Sequence, residues 1–593
     1  MIKSYLSGLI KKAYGLLTGK ETEDVFLTSS GNQQFGDYTS SLPLKVYKTF
    51  NQSPMGVARK LAEKIINLDK ADKRVFKVIE PIEPGFINFF IDETVLLKDL
   101  AEKLKEKTPF EIESKPLKGK KIMIEFAHPN THKQFHIGHL RNISLGEALV
   151  RLHESLGATV IRANYQGDVG LHVAKALWGI MNSSKFKNQS AKLDNESILE
   201  RIKFLGECYV EGNKAYEEDK KEEVVAINKK IYAKDPEVLL LWEKTRAWSL
   251  EYFDRIYKRL GTHYDRLFFE SEVADSGTRI AEEALDKGIL TKSEGAVIFD
   301  GTLHGTDKRV FLNSEGLPTY EAKELGLAAL EFSEFGLIDR LIHVVGPEQQ
   351  SFFKATFKVE ELLDSKKYGG RQFHFVYGYV RLKEGKMSSR KGNVVTAISV
   401  IDQAESEIGK LIKREGLVES EIGEITEKVA MGAVKYSMLR SDAKNDITFD
   451  LKESVALEGN SGPYLQYTYA RAKSVLSKSV EAFSVQGLEH RYSADHLYAI
   501  RYTLVAEEIS LLRTLYKFPE VVETAALRYE PHLLCNFLFD LAQKFNLFYN
   551  NIPILSNDSD VLIRSRRLVL TKASAVIIKN GLYLLGIETP ERM

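Results

Sequence analysis

A chain of 593 residues, 44% hydrophobic and 28% charged, is long enough for about four domains and can bury a large core without disulfides or metals. Its two cysteines, Cys208 and Cys535, stand far apart with no Cys or His at ligand spacing, which excludes a disulfide framework and a structural zinc site and leads us to expect a reducing cytoplasm. No apolar run approaches the ~20 residues of a membrane helix, and 83 Lys and Arg against 82 Asp and Glu leave a net charge of +1, without the overall basic excess common among nucleic-acid binders.

The chain opens with Ile2, Leu6, Leu9, Ala13 and Leu16 at helical spacing, which predicts a first packed helix rather than a transit segment. Residues 1–105 read as a mixed α/β domain with Phe35-Gly36-Asp37-Tyr38, a helix over 55–68 and a strand over 85–91. The lysine-rich stretch 102–121 is too polar to bury and predicts a solvated linker. A buried strand is predicted over 121–126, followed by Leu145, Leu149, Leu152 and Leu156 on one face of a helix. Gly157 is placed to end that helix, and a second strand starts at 158–161. This βαβ order opens a doubly wound nucleotide-binding fold, whose first half is assigned to 106–185. Charged residues at helical spacing then predict a helical insertion, 186–275. Strand-like runs at 341–345 and 373–377 place the second half of the sheet domain at 276–400. A helical stem, 401–455, and an all-α domain, 456–593, complete the chain. In the latter Tyr464, Tyr467, Tyr469, Phe537, Phe545, Phe548 and Tyr549 recur among leucines and are expected mostly in the core. Arg564, Arg566 and Arg567 are expected on a solvated helix face or against phosphates.

Chemistry concentrates in two segments. Between the first strand and the first helix of the sheet domain runs Phe126-Ala127-His128-Pro129-Asn130-Thr131-His132-Lys133-Gln134-Phe135-His136-Ile137-Gly138-His139, which holds four of the 13 histidines. A strand end feeding a helix N-terminus makes an anion site, because free backbone N–H groups and the positive end of the dipole both favour phosphate. His136 and His139 add donors for charge developing on phosphate, and Gly138 allows close approach to the backbone. The second segment, Gly385-Lys386-Met387-Ser388-Ser389-Arg390-Lys391-Gly392, sets three cations and two hydroxyls between hinge-like glycines, which suits a loop closing on pyrophosphate.

Together the segments resemble the class I aminoacyl-tRNA synthetases: His136-Ile137-Gly138-His139 matches the HIGH motif letter for letter, and Lys386-Met387-Ser388-Ser389-Arg390 is similar to the KMSKS loop. Within that class the chain resembles arginyl-tRNA synthetase from end to end. Phe35-Gly36-Asp37-Tyr38 and Pro84-Gly85-Phe86-Ile87-Asn88 are similar to its N-terminal domain, which in the family contacts the tRNA elbow. Gly167-Asp168-Val169-Gly170, Tyr257-Lys258-Arg259-Leu260-Gly261, the stretch from Gln466 to Ala472 and the final Leu585-Gly586-Ile587 follow the family's order.

The resemblance implies an arginine–tRNA ligase that uses ATP with Mg²⁺, L-arginine and the tRNA for arginine, acts as a monomer and forms no covalent enzyme intermediate. It implies a Rossmann-like parallel-sheet catalytic domain split by the insertion, and an all-α anticodon-binding domain. His136, Gly138, His139 and the segment from Lys386 through Met387, Ser388, Ser389 and Arg390 would bind ATP, with His136, His139, Lys133, Lys386 and Lys391 serving the reaction. Asn130 would take the arginine ammonium, and Tyr320, Glu324 and Gln349 would line the side-chain pocket. Two departures matter. Glu324 stands where the family has aspartate, which keeps the carboxylate but adds a methylene; Ser389 stands where KMSKS has its second lysine, a loss that Lys133 compensates in part of the family.

Overall fold

A computed structural model describes residues 2–29, 33–186, 192–383, 395–412, 416–482, 504–556 and 561–593. The chain forms two compact units, each assembled from separate stretches of sequence.

The first unit contains residues 1–110, 474–518 and 543–577. Its antiparallel sheet joins β1 (Leu27–Ser29), β2 (Tyr38–Ser40), β3 (Phe76–Ile82) and β4 (Phe86–Ile91) in the order β1-β2-β4-β3. The helix Ile2–Thr18 buries Leu6, Leu9, Ile10, Ala13 and Tyr14. Leu16, expected inside, is 57% exposed, and Leu17 beside it is also exposed, because the last turn runs past the core. Gly36 has φ +83°, and a Cβ there would lie 2.6 Å from the Phe89 carbonyl oxygen, so the turn into β2 requires glycine. Asp37 accepts from the Ile91 N–H at 2.8 Å and is paired with Arg513, which also donates to the Ile91 carbonyl at 3.0 Å and to Glu93 at 2.7 Å. The Phe35–Tyr38 corner therefore anchors the helix Ala506–Leu515.

The basic stretch near residue 566 corrects its sequence reading. Arg566 is fully buried and donates to the equally buried Glu508 at 2.7 Å, while Arg567 reaches the other oxygen of Glu508 at 3.1 Å and the Pro553 carbonyl at 2.9 Å. Adjacent in sequence, these two arginines bracket one interior carboxylate, so a solvated face does not describe Arg566. The lysine-rich linker is also less solvated than its composition suggests, since Phe110 and Ile112 are buried.

The second unit, residues 111–473, 519–542 and 578–593, is built on a five-stranded parallel sheet. Its strands are β5 (Lys121–Glu125), β6 (Thr159–Gln166) and β7 (Arg266–Phe269), with β11 (Arg340–Val345) and β12 (Gln372–Val376) coming later in the chain. Between β7 and β11 lies a small antiparallel sheet unforeseen in the sequence, made of β8 (Thr291–Ser293), β9 (Ala296–Phe299) and β10 (Arg309–Leu312). Short strands β13 (Val380–Leu382) and β14 (Ile447–Phe449) pair with each other. Leu145, Leu149 and Leu152 are buried on the helix Ile137–Ser155, which is enclosed on nearly every side, and Gly157 follows it at φ +92°. Met123, Ala163, Phe268, Leu327 and Leu341 fill the core on one face of the sheet.

The helices Ile198–Glu218, Lys221–Tyr232 and Pro236–Arg259 make up the insertion; β7 already belongs to the sheet, so the sheet resumes inside the stretch assigned to helix. The first of them touches the helix Leu171–Asn182 backbone to backbone: a Cβ on Gly212 would lie 1.8 Å from the Lys175 carbonyl oxygen, and one on Gly179 2.3 Å from that of Cys208. Among the described residues no helix is long and apolar enough to cross a membrane, and both cysteines are buried and unpaired.

Candidate active site

The strand order β12-β11-β5-β6-β7 means that the chain runs outward from β5 through β6 to β7, then returns to lay β11 and β12 on the other side of β5. Ligands of such sheets bind outside the carboxyl ends of the strands at this reversal. The loop 126–136 leaves β5 there. Ala127, His128 and His132 in this loop have φ of 82°, 48° and 64°. Each non-glycine residue in that region costs about 1–3 kcal/mol, so the surroundings must hold it. Asn142 accepts from the Ala127 N–H at 2.5 Å and donates to the Val344 carbonyl at 2.7 Å and the Tyr377 hydroxyl at 3.0 Å. His132 is buried between the hydroxyls of Thr131 at 3.0 Å and Thr245 at 2.7 Å, and burial pushes its imidazole down to about 3. It is a neutral tether to the insertion.

His136 caps the helix Ile137–Ser155: its Nδ1 accepts from the Gly138 N–H at 3.1 Å, and His139 Nδ1 accepts from the His136 N–H at 3.1 Å. A neutral imidazole whose Nδ1 accepts carries its hydrogen on Nε2. Burial, with the nearby charge of Lys133, keeps His136 below the usual histidine range; burial and the neighbouring imidazoles hold His139 well below it. Two neutral rings 4.0 Å apart therefore present Nε2–H donors beside a helix N-terminus. A Cβ on Gly138 would come within 2.9 Å of the His136 ring, so the glycine is demanded by that imidazole itself. Lys133 is half-buried with its ammonium 4.8 Å over the Tyr209 ring of the insertion.

Arg141, fully buried, donates to four carbonyls: Gly378 at 2.7 Å, Tyr379 at 3.1 Å, Ala443 at 2.9 Å and Asn445 at 2.8 Å. It clamps this helix to both sides of the β13–β14 pair. Lys386, Met387, Ser388, Ser389, Arg390 and Lys391 lie outside the described residues. On leaving that segment the chain returns to the first motif, where Thr396 bridges to His136 and the Ala397 N–H donates to the Phe135 carbonyl at 2.8 Å.

The pocket residues are distributed as follows. Glu324 is buried one turn into the helix Tyr320–Phe335, which rules out a surface glutamate. The parallel register sets His343 of β11 directly beside Glu125 of β5; His343 Nδ1 lies 3.3 Å from Glu125 Oε1 and 3.9 Å from Glu324 Oε1. Burial opposes a charge on His343, but the two carboxylates outweigh it and raise its pKa to about 9. Burial raises Glu324 to about 8 against the pull of His343, whereas Glu125, closest to that imidazole, is held low despite burial. Glu125 Oε2, His128 Nε2 and the Tyr165 hydroxyl are buried with no hydrogen-bond partner among the described residues. These atoms can satisfy several N–H donors of a planar cation. Asn130 bridges to Gly167, and Gly167 also abuts Glu270, which is paired with Lys323 at 2.6 Å. Tyr320 starts its helix 63% exposed with Lys323 5.3 Å from its ring, and Gln349 is half-buried in the turn that ends β11. Glu125 and His343 escaped the sequence reading. The one available signal was a carboxylate closing an otherwise apolar strand, Ile122-Met123-Ile124-Glu125.

Comparison with known proteins agrees over the whole chain. Residues 100–451 match the catalytic domain of the class I tRNA synthetases (R), residues 465–593 the DALR anticodon binding domain and residues 1–91 the arginyl tRNA synthetase N-terminal domain. The chain is 33% identical to the arginine–tRNA ligase of Treponema denticola over 583 residues, covering 96% of this chain and 95% of that relative. With the ligase of Bacteroides thetaiotaomicron the figures are 30% over 634 residues, 100% and 99%. In fold it superposes on the arginyl-tRNA synthetase of Thermus thermophilus with a TM-score of 0.79 at 23% identity, covering 100% of both chains. By its three domains and its full-length relatives, the chain belongs to the arginyl-tRNA synthetase family of class I tRNA synthetases.

Proposed function

We propose that this protein is an arginine–tRNA ligase that activates L-arginine with ATP and transfers the arginyl group to the terminal adenosine of the tRNA for arginine. The observation that carries the substrate is the pair of interior carboxylates, Glu125 and Glu324, that flank His343 at the sheet reversal, with Glu125 ending the strand that leads into the His136–His139 motif. A guanidinium matches carboxylates in a planar fork; lysine's ammonium does not. Asn130 orients the amino-acid ammonium, with Tyr320 and Gln349 flanking the side chain. A carboxylate oxygen of arginine then attacks the α-phosphorus of ATP, the bond to the bridging β-phosphate oxygen breaks, and pyrophosphate leaves. The Nε2–H groups of His136 and His139 and the helix N-terminus stabilise the charge gathering on the α-phosphate. Lys133, Lys386, Ser388, Arg390 and Lys391 serve the pyrophosphate. Mg²⁺ arrives with ATP as part of the substrate, and among the described residues no group of three His, Cys, Asp or Glu side chains is arranged to hold a metal. In the second step the 2′-hydroxyl of the terminal adenosine attacks the arginyl carbonyl and AMP departs. The enzyme works as a cytoplasmic monomer in this reading. Charging total tRNA with each of the twenty amino acids tests it: arginine alone is expected to be attached efficiently, and lysine attached equally well would overturn the assignment.

A further inference from the structure

Behind the arginine side of the site, four carboxyl groups meet around one imidazole. Glu125 comes from β5, Glu324 and Glu331 from the helix Tyr320–Phe335, Glu360 from the helix Gln350–Leu363 and His343 from β11, and all five are buried. Gln372 of β12 closes the back, accepting from His343 Nε2 at 2.7 Å and donating to Glu360 at 2.5 Å. Phe353 and Phe357 cover the His343 ring at 4.8 and 5.3 Å. The remaining titratable neighbours supply little cation: His128 and His374 are kept neutral by burial, and Tyr165 is held in its phenol form. Lys323 is committed to Glu270, Glu321 faces Arg309, and Lys367 acts on Glu360 only weakly.

Charge balance follows from this inventory. A dry interior tolerates an ionised carboxyl only when it is paired. One imidazolium can support Glu125. Burial, with the charge of the neighbouring Glu125, raises Glu331 well above the ordinary carboxyl range, so it keeps its own proton. A second ionised carboxyl requires a second cation, and arginine brings one.

Building on the arginine assignment above, we propose that His343 is a positioning residue of the arginine pocket: its imidazolium holds Glu125 ionised and poises the cluster so that entry of the substrate guanidinium expels one proton. The proton leaves Glu324, the carboxyl nearest His343 after Glu125. With Glu324 at about 8 in the free pocket, most molecules carry that proton at pH 7, so arginine affinity rises with pH and levels off above about 8.

Calorimetric titration of the tRNA-free enzyme with arginine at pH 7, in two buffers of different ionisation heat, counts the proton. The expected result is release approaching one proton per arginine, and an arginine Kd that improves by up to about tenfold per pH unit below the plateau. In His343→Gln the plateau is expected to move up by about one pH unit or more, because Glu324 has lost its nearby cation, while kcat changes less than arginine KM. A buffer-independent heat in the wild type overturns the proposal, even if the variant does not fold. An unmoved plateau in a folded His343→Gln overturns the role of His343. These results are distinguishable from failure of the substrate itself, in which arginine would neither bind in the calorimeter nor be charged to tRNA.

Discussion

Lys133 carries a local question that the geometry sharpens. Ser389 has no charge to offer where the second lysine of the motif would stand, and the Lys133 ammonium is held over Tyr209, close enough to His136 and His139 to depress both. Replacing Lys133 with alanine is expected to slow arginine-dependent pyrophosphate exchange by about 10²-fold, the size of losing one preorganised donor. Arginine KM should hardly move, because the role proposed for this lysine is on the pyrophosphate and not on the guanidinium. Near-normal exchange would transfer the role to Arg390 or Lys391. At this scale the sequence was informative where residues act within one short segment. His136, Gly138 and His139 build their cap from three neighbouring positions, and a string of letters displays that. Glu125 meets His343, 218 residues away, and no local pattern records such a meeting. Arg566 misled for the same reason: a buried arginine is betrayed only by its carboxylate, and Glu508 lies 58 residues off.

Among elements, although β7 fell inside the stretch read as helical insertion, the other four parallel strands and the helix between β5 and β6 were legible because buried strands and a leucine stripe leave unmistakable periods. The β8–β10 sheet was not: its strands are three or four residues long, and a period of two barely declares itself over that span. Glycine spacing hid another contact. Gly179 and Gly212 occur in helix interiors, where glycine is unfavourable by itself, and only their facing backbones explain them. Substituting Gly212 with alanine forces the helices Leu171–Asn182 and Ile198–Glu218 apart, since the new Cβ would fall 1.8 Å from a carbonyl oxygen. The expected cost is about 1–3 kcal/mol in urea denaturation. A variant as stable as the parent would mean that the insertion is loosely seated.

For the whole molecule, two properties integrate over many residues. The carboxyl cluster makes stability depend on pH with a definite sign. Glu324, Glu331, Glu360 and His343 all hold protons more tightly folded than unfolded. Their contribution is therefore complete at low pH and drains away as pH rises, by up to about 1.4 kcal/mol per group per unit. Between pH 7 and 8 the thermal midpoint is expected to fall, and Glu331→Gln, which mimics the protonated carboxyl, should flatten the decline. An equally steep decline in that variant would place the titrating groups elsewhere. The anticodon supplies the second property. Of the seven aromatics singled out in the C-terminal helices, Tyr469, Phe545 and Phe548 are core, whereas Tyr549 is 38% exposed. Unstacking a base from an aromatic face costs about 1–3 kcal/mol, so a tRNA for arginine altered at its central anticodon base should be charged correspondingly less well. The Tyr549→Ala enzyme should narrow that difference. Equal charging of the two tRNAs by the parent enzyme would assign the domain to another part of the tRNA.

The closing stretch of the second unit has a further consequence. Buried Lys435 donates to the carbonyls of Leu260 and Gly586, Gln466 to that of Glu588, and Arg151 to that of Tyr583. A ribosome delivers these partners in order, and the lysine emerges 151 residues before Gly586 can meet it. Throughout that interval the sheet and its nucleotide motif are already outside the exit tunnel, with an interior ammonium still lacking half its ligands. Nascent chains halted before residue 583 are thus candidates for chaperone capture and quality-control proteolysis, and a premature stop that spares every residue of the sheet would still be expected to yield no enzyme.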